Sequence, residues 1–153
     1  MDINEVIQSA EPIAVTEARR HGARLLIELK SELPRILGDT VQIQQVLLNL
    51  VRNAAEAMSE TPPEAREVVV RTSEETPGAI TLAVLDAGPP IDQAMFRDLF
   101  TPFHTSKPDG LGMGLAISRS IIETHGGRIW AVSRPTGGLV VQFTLPLPRT
   151  SGA

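Results

Sequence analysis

Residues 39–58 read DTVQIQQVLLNLVRNAAEAM. Asp39 followed by Gln42 is a capping-box pattern, in which side chains and backbone N–H groups satisfy one another at a helix start. Behind it, Ile43, Val46, Leu47, Leu50, Val51, Ala54, Ala57 and Met58 recur at helical spacing, which predicts an amphipathic helix with one buried stripe. Asn49 and Asn53 stand four apart along the edge of that stripe, where a side chain can face a cleft while its helix packs on the core. An Asn amide oxygen is a hard neutral ligand suited to Mg²⁺, which keeps most of its waters. Two amides on a helix flank, taken alone, are more often plain polar positions.

Working outward, Thr61-Pro62-Pro63 ends this helix. On its N-terminal side, Asp2 with Glu5 repeats the capping pattern, and Ile3, Val6, Ile7, Ala10, Ile13 and Ala14 predict a helix to about Arg20, with Pro12 expected to kink or break it. Residues 23–30, between Gly22 and Pro34, predict a strand. On the C-terminal side, residues 67–72 and 79–85 predict a hairpin around Thr76-Pro77-Gly78. From Asp86 to Gly114 turn-forming residues accumulate, apart from a helical piece over 93–100; so long an irregular stretch commonly serves as a lid. Residues 115–125 predict a third helix, closed by Gly126-Gly127. Residues 128–133 and 139–145 predict two strands around Pro135-Thr136-Gly137-Gly138. About five strands mixed with three helices give an α+β class, a mixed sheet with the helices on one face and a lid between Asp86 and Gly114.

The 153 residues suit one domain. With 14 basic against 18 acidic residues, a net charge of −4 and no basic stripe, nucleic acid is excluded as an expected partner. No cysteine is available for a disulfide or a thiolate metal site. An apolar run long enough to span a bilayer and a secretory leader are both lacking, so this segment is expected to be cytoplasmic and to make no membrane contact.

Three further stretches can carry chemistry. Asp86-Ala87-Gly88 directly follows a strand, placing a carboxylate beside backbone that a ligand can approach closely; a carboxylate accepts from an exocyclic amine such as that of adenine. Gly110-Leu111-Gly112-Met113-Gly114 opens a helix, where free N–H groups and the positive helix end suit phosphate. Before it, Phe100 and Phe103 could fix a lid, and Lys107 offers a cation to a polyphosphate. Each stretch also has a plain reading as a turn, a packing glycine or a surface lysine.

In this order the pieces resemble the four signature boxes of the ATP-binding catalytic domain of bacterial sensor histidine kinases, within the Bergerat-fold ATPase superfamily. Residues 45–58 are similar to the N box, DAGPPI over 86–91 to the first glycine box, LFTPFHTSK over 99–107 to the F box, and GLGMGL over 110–115 to the second glycine box. The similarity spans residues 3–148, implying a catalytic domain over 1–148 with a disordered tail over 149–153. Its lid wording is similar to that of oxygen-sensing nitrogen-fixation and nitrogen-regulation kinases.

What the resemblance implies is a two-layer α/β sandwich that binds Mg·ATP and phosphorylates a histidine. Asn49 and Asn53 would be its catalytic positions, Asn53 holding Mg²⁺. Asp86 would read the adenine amine and Gly88 would let the purine pack close. Gly110, Leu111, Gly112, Met113 and Gly114 would form the phosphate-facing hinge, with Lys107 and Arg52 as further phosphate contacts. Hydrolysing members of the superfamily carry Glu where this chain has Asn49, and an amide cannot take a proton from water, which favours transfer to a protein histidine. Implied partners are a separate dimerisation and phosphoacceptor domain and, indirectly, a response regulator; the isolated domain is expected to be a monomer. Two departures stand out. Pro90 replaces a usual Gly, and none of His21, His104 and His125 lies in a phosphoacceptor box; His125 reads as a helix-end residue that complements the dipole, and His104 as lid surface. These departures leave two other readings open, a nucleotide-binding or interaction module without turnover and a serine kinase of the anti-sigma-factor type.

Overall fold

Parallel neighbouring strands need a long crossover, and residues 39–58 supply it. The computed structural model describes residues 1–74, 77–89 and 114–148. Helix α1 (Ile3–Arg20) leads to strand β1 (Arg24–Glu28), then α2 (Thr40–Glu56) crosses to β2 (Glu67–Ser73). β3 (Ala79–Leu85), α3 (Gly114–Thr124), β4 (Arg128–Ser133) and β5 (Leu139–Pro146) follow. The sheet order is β1-β2-β3-β5-β4, with β1 and β2 parallel and the other pairs antiparallel. The expected mixed five-stranded sheet with three helices is thus what forms.

Local chemistry sets the boundaries. Asp39 is the N-cap of α2, and its side chain accepts from the Gln42 N–H at 3.1 Å. Asp2 caps α1 by accepting from the Asn4 N–H. α2 buries Ile43, Val46, Leu47, Leu50, Val51, Ala54 and Ala55 between α1, α3 and the inner sheet face. That face is built in register: Val70, Val84 and Val141 form one row, and Thr72, Leu82 and Phe143 the next. All six are buried. Thr72 also serves as a junction, its hydroxyl donating to Asn4 on α1 and accepting from the Lys30 N–H after β1.

Two expectations need correction. α1 runs through Pro12 unbroken, because Gln8, whose carbonyl loses its usual donor there, lies with Pro12 on the exposed face where water can replace it. Ile13 is not on the buried stripe: it is 56 % exposed, while Ala10 and Ala14 make the contact. The helical piece over 93–100, nearly all of the lid and the 149–153 tail lie outside the described residues.

Candidate functional site

α2 acts as a ruler. Asn49, Asn53 and Ala57 follow at four-residue intervals, so they line one side of the helix a turn apart. At the upper position Asn49 is buried, and its Nδ2 donates to Ser118 Oγ at 3.4 Å. Ser118 is fully buried on α3, one turn after Gly114, and Arg52 Nη2 donates back to Asn49 Oδ1 at 3.0 Å. At the lower position a Cβ on Gly88 would lie 2.9 Å from the Ala57 carbonyl oxygen, so only glycine lets this backbone rest against the end of α2. The Ala87 N–H donates to Met58 Sδ at 3.4 Å, and Thr61 Oγ1 donates to the Ala87 carbonyl at 3.5 Å. Half-buried Asn53 therefore lies between the start of α3 and the segment Asp86–Gly88, about 6 Å from each flanking position by helix geometry.

Asp86 directly follows β3 and is 4 % exposed. Its Oδ1 accepts from the Gly88 N–H at 2.9 Å and the Leu139 N–H at 3.2 Å, while its own N–H donates to the Leu139 carbonyl at 3.0 Å. These hydrogen bonds from backbone hold the carboxylate at one angle. The turn between β4 and β5 packs beneath. Arg134 Nη1 donates to the Asp86 carbonyl at 2.6 Å, and Gly138, at φ +95°, leaves no room for a Cβ against that same carbonyl.

The sequence pointed to Asn49, Asn53, Asp86 and Gly88; the first two lie a turn apart on α2, and the segment holding the other two rests against its C-terminal end. Arg52 comes with them, as a partner of Asn49. Lys107, Gly110, Leu111, Gly112 and Met113 lie outside the described residues, as do Phe100, Phe103, His104 and Pro90; Gly114 is the first residue of α3. Ser118, Met58, Thr61 and Arg134 were missed. Paired glycines at 137 and 138 were a usable signal for the turn under Asp86, whereas a serine within an apolar helix carries none. Arg66 was missed too, though it binds the carbonyls of His21, Ser59 and Thr61 and so fixes the loop after α2.

His125 is structural, but not through charge. Its Nε2 accepts from the Asp39 N–H at 3.0 Å, which makes the ring neutral and leaves Nδ1–H to donate to the Ile121 carbonyl at 2.8 Å. His21 is the C-cap of α1. Among the described residues no group of three or more His, Cys, Asp or Glu side chains could hold a metal ion. An ion beside α2 would draw most of its oxygens from water or a ligand. No described helix is long and apolar enough to cross a membrane.

Residues 38–149 match the family described as histidine kinase-, DNA gyrase B- and HSP90-like ATPase. Among curated relatives, the C4-dicarboxylate transport sensor protein DctS of Rhodobacter capsulatus is 40 % identical over 149 residues, 97 % of this chain and 22 % of the relative. The sensor protein FixL of Bradyrhizobium diazoefficiens is 42 % identical over 144 residues, 94 % of this chain and 28 % of the relative. The chain thus spans about a quarter of the length of these two relatives. Among solved structures, the catalytic domain of histidine kinase ThkA superposes with a TM-score of 0.81 at 33 % identity, covering 95 % of this chain and 93 % of that one. ThkA in complex with the response regulator TrrA is similar as well, with a TM-score of 0.77 at 32 % identity over 97 % of this chain and 41 % of that one.

Proposed function

The chain belongs to the histidine kinase-, DNA gyrase B- and HSP90-like ATPase family, and from that premise we propose that it binds Mg·ATP beside α2 and passes the γ-phosphoryl group to a histidine on a separate dimerisation domain, from which a response regulator takes it. The observation that carries this reading is the line Asn49–Asn53–Ala57, which touches α3 at one end and Asp86–Gly88 at the other.

The residues suit their roles by chemistry. Asp86, buried and held by the Gly88 and Leu139 N–H groups, is a carboxylate, the acceptor type that suits an adenine amine. Gly88 has no Cβ to meet the Ala57 carbonyl oxygen, so its backbone rests against the end of α2 and would present a bare main chain on which a flat purine could pack closely. Asn53 would hold Mg²⁺ through its amide oxygen, in keeping with an ion that takes few protein ligands. When bound, the ion supplies neutralisation of charge on the phosphate oxygens. Arg52, Lys107, Gly110, Leu111, Gly112, Met113 and Gly114 are the proposed donors to the phosphates. Asn49 lacks the basicity to activate water, and its bonds to Ser118 and Arg52 hold an amide there in place of a base. The chain's task is then to position ATP and exclude water, while the acceptor imidazole attacks in line.

The test is magnesium-dependent binding of a non-hydrolysable ATP analogue, followed by transfer to an added phosphoacceptor domain. Asn53→Ala should lower transfer about a hundredfold or more. Unchanged magnesium dependence in that variant would remove Asn53 from the metal. The phosphorylated product should be acid-labile, as phosphohistidine is; an acid-stable product would make the chain a serine kinase.

A further inference from the structure

We infer that Arg134 is a positioning residue for base recognition: it fixes the peptide that aims Asp86, and so sets the preference for adenine without touching the nucleotide. This rests on the reading of Asp86 as the adenine contact. After β3 the chain leaves the sheet, and the peptide unit joining residues 86 and 87 is the first beyond the ladder. Its two polar ends are held unequally. Among the described residues the N–H of Ala87 meets the weak acceptor Met58 Sδ, at 3.4 Å, whereas the carbonyl of Asp86 receives a charged donor, Arg134 Nη1, at 2.6 Å.

Rotation of this peptide would change ψ at Asp86 and carry Gly88 with it. The Gly88 N–H donates to Asp86 Oδ1, as the Leu139 N–H does, so the carboxylate's aim depends on the same plane. Gly138 beneath it has no Cβ, and therefore leaves the carbonyl in place without gripping it. Thr61 holds Ala87 one peptide further on, through a 3.5 Å bond. Of these restraints the arginine is the strong one, and it comes from a turn more than forty residues away, |i−j| = 48.

The experiment measures binding of two non-hydrolysable triphosphates to the 153-residue chain, one with adenine and one with hypoxanthine, in which an oxo group replaces the exocyclic amine. Arg134→Met is expected to shrink the adenine preference by about three- to tenfold, the range for one hydrogen bond, with hypoxanthine binding nearly unchanged. Arg134→Lys, which restores one donor, should recover most of that preference, and it remains informative if the Met variant melts early. Asp86→Asn separates the two ideas. If Asp86→Asn keeps the full adenine preference, the reading of Asp86 fails. Collapse in Asp86→Asn with an unchanged preference in both Arg134 variants overturns the role of Arg134 alone. The double variant Asp86→Asn with Arg134→Met should match Asp86→Asn; a further loss would mean that Arg134 acts on the nucleotide by another route.

Discussion

Gly78 and Gly127 both sit between elements, yet the fold asks different things of them. Gly78, in the turn before β3, has φ +77° and nothing within 4 Å of where a Cβ would stand, so only backbone conformation opposes alanine. Gly127 faces β5 so closely that a Cβ would overlap the Thr144 carbonyl oxygen, with Ile122 Cγ2 a further 3.1 Å contact. Gly78→Ala should therefore cost about 1 kcal/mol, the penalty for a side chain in the left-handed region. Gly127→Ala should cost about 3 kcal/mol, because strand backbone must move. Urea unfolding of the two variants measures both, and equal costs would show that the α3–β4 junction yields easily. At this scale the site was legible where residue type announces chemistry: an Asp-x-Gly after a strand, or amides at helical spacing. Arg134 and Ser118 announce nothing, since an arginine in a turn reads as a solvated charge and a serine in a helix as a neutral filler; their roles exist only once distant elements meet.

Among the elements, α2 is held against α3 at two levels. Near its N-terminus the neutral imidazole of His125 bridges the Asp39 N–H and the Ile121 carbonyl, and in its middle Asn49 meets Ser118. The middle bond is buried, so removing one partner leaves a polar group without water to replace it. Ser118→Ala should cost about 1–2 kcal/mol by stranding Asn49 Nδ2. Combined with Asn49→Ala it should cost less than the two single changes added together, since the stranded donor has gone as well. A double-mutant cycle in urea measures the coupling; strict additivity would mean that the 3.4 Å contact contributes nothing. Element identity was largely readable here because capping residues and periodicity are local properties. Pro12 misled for a related reason: sequence shows the missing donor but not that the orphaned carbonyl faces solvent, which makes the break unnecessary.

For the molecule as a whole, strand number could be read but strand order could not, because β5 inserts between β3 and β4 through pairings made across more than fifty residues. That order produces a feature no local pattern shows. Leu26, Val69, Leu85, Val140 and Val132 come from all five strands and are consecutive partners in register, forming an apolar row on the face away from the helices. Its centre is covered, with Val69 at 8 % and Leu85 at 7 % exposure, while Leu26 and Val132 on the two edge strands are each 44 % exposed. Apolar burial stabilises in proportion to area removed from water, so the row should contribute from its middle and little from its ends. Leu85→Ala is expected to cost about 2 kcal/mol, as a truncated core side chain does. Leu26→Lys and Val132→Lys should each stay within about 0.5 kcal/mol, since lysine can lay its stem along the row and keep its charge in water. Urea midpoints of the three variants decide the matter: a large loss at either end would mean that this face behaves as a second core, with the edge strands shielded in solution by more than the sheet itself.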